Sequence, residues 1–162
     1  MATPSGPLSA ARVRHATEAD GAELARLRWE CTVESGQRTE PFEAFADRFR
    51  DFVRRALLSG RWAIWVAELE GRLVGNVWVG LVDRVPGPNG DTPVWAHVTN
   101  VYVDPELRNH GLGTMLLDAA IEWSRYVGAE TLIAWRSGAR VSFYERRRFA
   151  RSAEAMELRF GE

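Results

Sequence analysis

The chain of 162 residues contains no lysine; all 21 of its basic residues are arginine. That absence removes every side-chain amine, and with it the Gly-Lys-Ser/Thr core of a Walker-type nucleotide loop. A single cysteine, Cys31, leaves no partner for an internal disulfide, and no Cys/His spacing resembles a zinc site. An excess of positive charge is missing too. The formal net charge of −1 argues against a nucleic-acid footprint or a polybasic membrane patch. No apolar run approaches the length of a transmembrane helix, and residues 1–10 lack a signal-peptide core. The simplest expectation is a cytoplasmic protein with no metal, no nucleic-acid partner and no membrane partner.

What remains is an ordinary soluble composition, 46% hydrophobic and 27% charged, long enough to bury one proper core. Met1 to Ala10 is rich in Pro, Ser, Gly and Ala and reads as a loose tail; residues 11–162 read as one domain. Arg12-Val13-Arg14-His15 has the look of a short strand. Thr17-Glu18-Ala19-Asp20 offers a cap for a helix to about Cys31, with Leu24, Leu27 and Cys31 on one face. Thr32 to Glu40 is polar and aperiodic, a loop. Pro41 opens a second helix, whose stripe of Phe42, Phe45, Phe49, Phe52 and Ala56 is expected in the core.

After Ser59-Gly60 the period changes to two. Trp62 to Leu69 and Leu73 to Val82 are predicted strands, joined by a hairpin turn at Glu70-Gly71-Arg72. Pro86 to Asp91 is a flexible loop, and Trp95 to Val103 is the next strand. A helix follows Gly113, with Leu116, Ala120, Trp123 and Val127 on one face, Leu117 and Ile121 beside it, and Gly128 as its C-cap. Thr131 to Trp135 is a strand, Ala139 to Arg147 a short helix, and Ala155 to Phe160 a final strand. The order implies one mixed α/β layer.

The stretch Thr99 to Thr114 carries the chemistry. Val101 and Val103 alternate with Asn100 and Tyr102 as in a strand with one buried face. Asp104-Pro105 ends that strand, and Arg108-Asn109-His110-Gly111-Leu112-Gly113 runs straight into an apolar helix. Two glycines let backbone N–H groups approach a ligand, and the helix N-terminus adds positive partial charge. The physics describes an anion site, most simply for a phosphate.

With this order and these residues, the chain resembles the GNAT superfamily of acetyl-CoA-dependent N-acyltransferases, from Val13 to Phe160. Arg108-Asn109-His110-Gly111-Leu112-Gly113 is similar to the family's acyl-CoA motif, and Ser142-Phe143-Tyr144-Glu145-Arg146 with Phe149 is similar to a second family segment. Two departures stand out: Arg148 replaces the glycine usual before that phenylalanine, and Ser137 stands near the place of a frequent asparagine. The resemblance implies an α+β GNAT fold. Its sheet is mixed and mostly antiparallel, with about six to seven strands splayed between the fourth and fifth, and about four helices.

It also implies where acetyl-CoA binds. Backbone groups of Val101 and Val103, with Tyr102 between them, would take the pantetheine amides. The N–H groups of Asn109, His110, Gly111, Leu112, Gly113 and Thr114 would take the pyrophosphate. Arg108 would face the pyrophosphate or brace the loop, and Ser137 would hydrogen-bond pantetheine or a water. Some of the late arginines, Arg136, Arg140, Arg146, Arg147, Arg148 and Arg151, could meet the 3′-phosphate or form a solvated face.

The implied activity is acetyl transfer to a primary amine, of a small molecule first. A protein amine, or an acyl-CoA-binding module with little catalysis, are the alternatives. Tyr144 matches the family's general acid. The base is His97, at the strand position where some members carry a carboxylate, or a bound water, for which Thr99, Asn100 or Tyr102 are candidate holders. His15 and His110 are poorer candidates. Trp78 and Trp95 are either walls of the acceptor cleft or core. Glu30, Glu34, Glu40, Asp83 and Asp91 either draw an ammonium-bearing acceptor or are solvated loop charges. A monomer or a homodimer is expected, and the acceptor itself is not written in the residues.

Overall fold

A tight hairpin sets the register of the sheet. Glu70 and Gly71 both have left-handed backbones, at φ 52° and 79°, the pair of conformations that a two-residue hairpin turn matched to strand twist requires. They join β2 (Trp62–Leu69) to β3 (Arg72–Asp83), with Leu69 opposite Arg72. The computed structural model describes residues 10–37, 40–88, 93–135, 141–152 and 158. Within them β1 (Arg12–His15) pairs with β2, and β4 (Val94–Val103) with β3, all antiparallel. β5 (Thr131–Ala134) lies parallel to β4, giving one sheet in the order β1-β2-β3-β4-β5. The sheet thus has five strands among the described residues, not the six to seven expected. The strand expected over Ala155–Phe160 falls outside the described residues except for Leu158.

Helices cover both faces. α3 (Leu112–Tyr126) makes the crossover that parallel neighbours need. It buries Leu112, Leu116, Leu117 and Ala120 against Trp65, Val77, Val79, Ala96 and Val98. Its end is a hydrogen-bonded turn in which Gly128, at φ 74°, donates to Arg125 and Ala129 donates to Ser124, so the glycine sits one residue beyond the cap. The opposite face carries α1 (Gly21–Glu34) and α2 (Phe42–Leu58), which bury Leu24, Leu27, Val53 and Ala56 against Ile64, Val66 and Trp78. The short α4 (Val141–Glu145) packs Tyr144 into the α3 side. Among the described residues no helix is long and apolar enough to cross a membrane.

Three expectations need correction. The first helix starts at Gly21 because Thr17 to Asp20 closes first as a one-turn 3-10 helix, fixed by a capping box. It then runs on to Glu34, so Thr32 to Glu34 belong to it and not to a loop. The phenylalanines of α2 are not core. The buried positions are Ala46, Val53 and Ala56, and Phe42, Phe45, Phe49 and Phe52 lie along the rim. There Phe52 stacks on Trp78 at 5.8 Å and Phe49 meets Trp78 at 5.7 Å, so Trp78 is core, wedged under the phenylalanines. Finally, α4 is described from Val141, and Arg146 to Arg148 have left the helix for a turn.

Candidate functional site

The site begins with a fault in β4. Thr99 faces Trp78 and Tyr102 faces Asn76, so Asn100 and Val101 together oppose Val77: a β-bulge. Asn100 takes a left-handed backbone, φ 51°, and its Nδ2 donates to Oδ1 of the fully buried Asn76 at 3.1 Å. Asparagine tolerates this conformation better than other side-chain-bearing residues. The extra residue changes which side chains share a face. Ala96 and Val98 point to the α3 side before the bulge, whereas Val103 does so after it. Tyr102 reaches the α1 side, opposite Val103 as the alternation implies.

β5 accompanies β4 only from Trp95 to Val98. Beyond Val98 no described strand pairs with β4 on that side, and two cavities open around this part of β4. The larger, about 500 Å³, is lined by Val101, Tyr102, Val103, Arg108, Asn109, Gly111, Gly113 and Thr114, and from α4 by Ser142, Phe143, Tyr144 and Arg146. The smaller, about 170 Å³, is lined by Arg28 and Cys31 of α1, Val98 to Val101 of β4, Trp135 and Tyr144. Val101 and Tyr144 belong to both.

The start of α3 forms the floor of the larger cavity. Its N-cap, Gly111, has φ 92° and no side chain, so nothing of its own satisfies the first N–H groups of the helix. Gly113 lies close enough to α4 that a Cβ there would stand 3.5 Å from the Phe143 ring, in the space of the cavity floor. Bare helix N–H groups, positive helix partial charge and the cationic Arg108 and Arg146 suit a pyrophosphate, so the residues present fit acetyl-CoA.

Arg108 braces the loop. Its Nε donates to the Val103 carbonyl at 2.9 Å, and its two terminal nitrogens grip Glu34 at 2.5 and 2.6 Å. It lies over the Tyr102 ring at 5.5 Å, and the hydrogen bonds it donates to Glu34 hold its guanidinium more firmly charged. Burial pushes the Tyr102 hydroxyl up to about 12, with the charges of Glu34 and Asp104 adding to it. Tyr102 is therefore uncharged at neutral pH.

Tyr144 is buried between Phe143 and Phe149, at ring separations of 5.2 and 5.3 Å. The turn behind it is closed by Arg148, whose φ of 65° preserves the backbone a glycine would supply. Phe149 N–H and Arg147 N–H both donate to the Tyr144 carbonyl, and Arg147 is tied to Asp118 of α3 at 2.7 Å. The missing glycine has changed the residue and not the turn.

His97 lines neither cavity. It lies opposite Gly80 and Ile133 in the sheet, two residues before Thr99, with its ring edge-on to Trp135 at 6.2 Å. Its Nε2 is buried with no hydrogen-bond partner among the described residues, and burial holds its pKa below the usual 6.5.

The fold has counterparts among known proteins. A family model described as the acetyltransferase (GNAT) family matches residues 21–149, most of the chain. The chain belongs to the GNAT family. Its solved relatives agree at the level of fold. A predicted acetyltransferase of Clostridium acetobutylicum, determined with acetyl-CoA, is 20% identical and superposes with a TM-score of 0.77 over 92% of this chain and 96% of that one. A GCN5-related N-acetyltransferase of Ralstonia eutropha is 22% identical, with a TM-score of 0.75 over 93% and 99%. An uncharacterized N-acetyltransferase of Methanocaldococcus jannaschii is 25% identical over 127 residues, 64% of this chain. This GNAT chain spans about half the length of that curated relative, 52%.

Of the donor residues expected in this GNAT domain, the structure brings Val101, Tyr102, Val103, Arg108, Asn109, Gly111, Gly113 and Thr114 to one cavity, with Tyr144 at its end. The side chain of Leu112 turns into the core, and His110, exposed, lines neither cavity. Ser137, Arg136, Arg140 and Asp91 lie outside the described residues. Trp95 is half-buried under Arg84, 4.6 Å from its guanidinium, and away from both cavities. Glu30, Glu34, Glu40 and Asp83 are paired with Arg26, Arg108, Arg48 and Arg61 and form no free acidic ring. Arg28, Cys31 and Trp135 were not foreseen. Only the three-residue spacing of Arg28 and Cys31 on one helix face hinted at them.

Proposed function

We propose that the protein transfers the acetyl group of acetyl-CoA to a primary amine of a small molecule. The observation that supports this reading is the junction of the two cavities at Val101 and Tyr144. The larger cavity takes the donor, its pantetheine running along Val101, Tyr102 and Val103 as a substitute strand and its pyrophosphate on the N–H groups at the start of α3. The smaller takes the acceptor, on the α1 side of the same strand. The amine nitrogen attacks the thioester carbonyl carbon, the C–N bond forms and the C–S bond breaks.

Two protons must move. One leaves the amine; His97 accepts it through a water held at Thr99, because the histidine stands back from the cavity wall. Its depressed pKa keeps it neutral and able to accept. The other is donated by the Tyr144 hydroxyl to the departing thiolate.

Substitution Tyr144→Phe tests the assignment. Removing one general acid should lower kcat by about 10²-fold or more while the Kd for acetyl-CoA, measured by calorimetry, stays within about twofold. An unchanged kcat would leave Tyr144 as packing alone, and a lost affinity would make it part of the donor site only.

A further inference from the structure

We infer that the acceptor carries an anionic group, a carboxylate or a phosphate, beside its amine, and that Arg28 receives it. The inference rests on the smaller cavity being the acceptor site. Among the described residues that cavity has no carboxylate in its wall: its polar side chains are Arg28, Cys31, Thr99, Asn100 and Tyr144, with Trp135 opposite. Charge pairing is otherwise the habit of this chain. On the same helix Arg26 holds Glu23 at 3.2 Å and Glu30 at 2.8 Å, and across the site Arg108 holds Glu34.

Arg28 has no carboxylate within 4 Å among the described residues. The one polar contact of its guanidinium among the described residues is a long hydrogen bond, 3.4 Å, from a terminal nitrogen to Oδ1 of Asn100. The nearby acids of α1 are paired with other arginines, so Arg28 is the charged residue of the described wall.

The guanidinium is also aimed. Buried Asn76 holds the Asn100 amide by its Nδ2, which leaves Oδ1 for Arg28. The bulge in β4 thus serves as a bracket for the cation. A guanidinium half-removed from water is poorly compensated by one neutral amide, and its planar fork suits a carboxylate or phosphate bound through two parallel hydrogen bonds. A ligand anion would supply what the protein withholds. The cation has a second effect on a molecule lying between Arg28 and Tyr144. A positive charge near the amine favours its neutral form, which is the nucleophile. At about 170 Å³ the cavity admits a small molecule, or the amine-and-anion end of a larger one.

Matched pairs of amines test this: phenylalanine against phenethylamine, 4-aminobutyrate against butylamine, and glucosamine 6-phosphate against glucosamine. Release of CoA thiol is followed for wild type, Arg28→Gln and Arg28→Lys. In at least one pair the anionic member should lead by tenfold or more in kcat/KM. Arg28→Gln should cost that member at least tenfold more than its neutral counterpart, mostly through KM, and Arg28→Lys should restore part of the loss. Equal use within every pair, or an equal loss for both members in Arg28→Gln, overturns the inference.

A second readout separates this from failure of the transferase reading. Cys31, the only thiol, lies in the same cavity and is open to iodoacetamide. If acetyl-CoA binds but no amine is acetylated, the transferase reading has failed, and the anion site is then judged on Cys31 alone. Slower alkylation of Cys31 by the anionic amines in wild type, lost in Arg28→Gln, supports the site; no slowing in wild type overturns it.

Discussion

His97 is the residue whose behaviour with pH follows most directly from its surroundings. Burial lowers its pKa below 6.5 by penalising the imidazolium, and among the described residues no partner at Nε2 offsets that. As the base, it works when neutral. The acid limb of kcat/KM should therefore lie below pH 6.5, with activity lost as pH falls through it, and His97→Gln should remove that limb and lower kcat. A limb that persists in the variant would assign the proton to another group. Folding carries the same sign. The unfolded histidine binds protons more readily than the native one, so its contribution to stability declines as pH falls through 6.5. Arg148 teaches a different lesson at this scale. Its left-handed backbone costs roughly 1–2 kcal/mol that glycine would not incur, yet the turn that seats Phe149 against Tyr144 is intact.

Among the elements, β4 decides most. The alternation of Val101 and Val103 was legible in the sequence, as was the Gly111–Gly113 turn into α3, because each is a local pattern of period or backbone freedom. The bulge was not. It arises from a two-to-one match with β3, and no window of β4 alone contains β3. That is why Arg28 escaped notice: an arginine on an amphipathic helix is unremarkable until the opposite wall is known. The phenylalanine stripe failed for a related reason. Helical spacing shows that the rings share a side, but their bulk suited the rim around Trp78 while small Ala46 and Ala56 took the close contact. Beside the bulge β4 approaches Gly75 closely, where a Cβ would stand 2.8 Å from the Tyr102 carbonyl oxygen. Gly75→Ala should destabilise by about 1–3 kcal/mol in denaturant unfolding, because backbone and not a flexible side chain must yield. It should also weaken acetyl-CoA binding, by displacing Tyr102 and Val103. A fully stable variant with wild-type affinity would show that β4 is less constrained than its contacts indicate.

For the molecule as a whole, the end of the β4–β5 pairing at Val98 creates something proteins usually keep at their margins. Among the described residues no strand pairs with Thr99 to Val103 on that side of β4. Edges offer unpaired N–H and C=O groups to any passing strand, and natural proteins cover, charge or shorten them. Here the cover would be the donor substrate, whose amides complete the ladder. Acetyl-CoA should accordingly slow amide hydrogen exchange from Thr99 to Val103 more than in β2, and exchange unaltered there would argue against strand-like binding. The ligand would then act as a chaperone of sorts: a cell's supply of acetyl-CoA would set how often this stretch of β4 is covered.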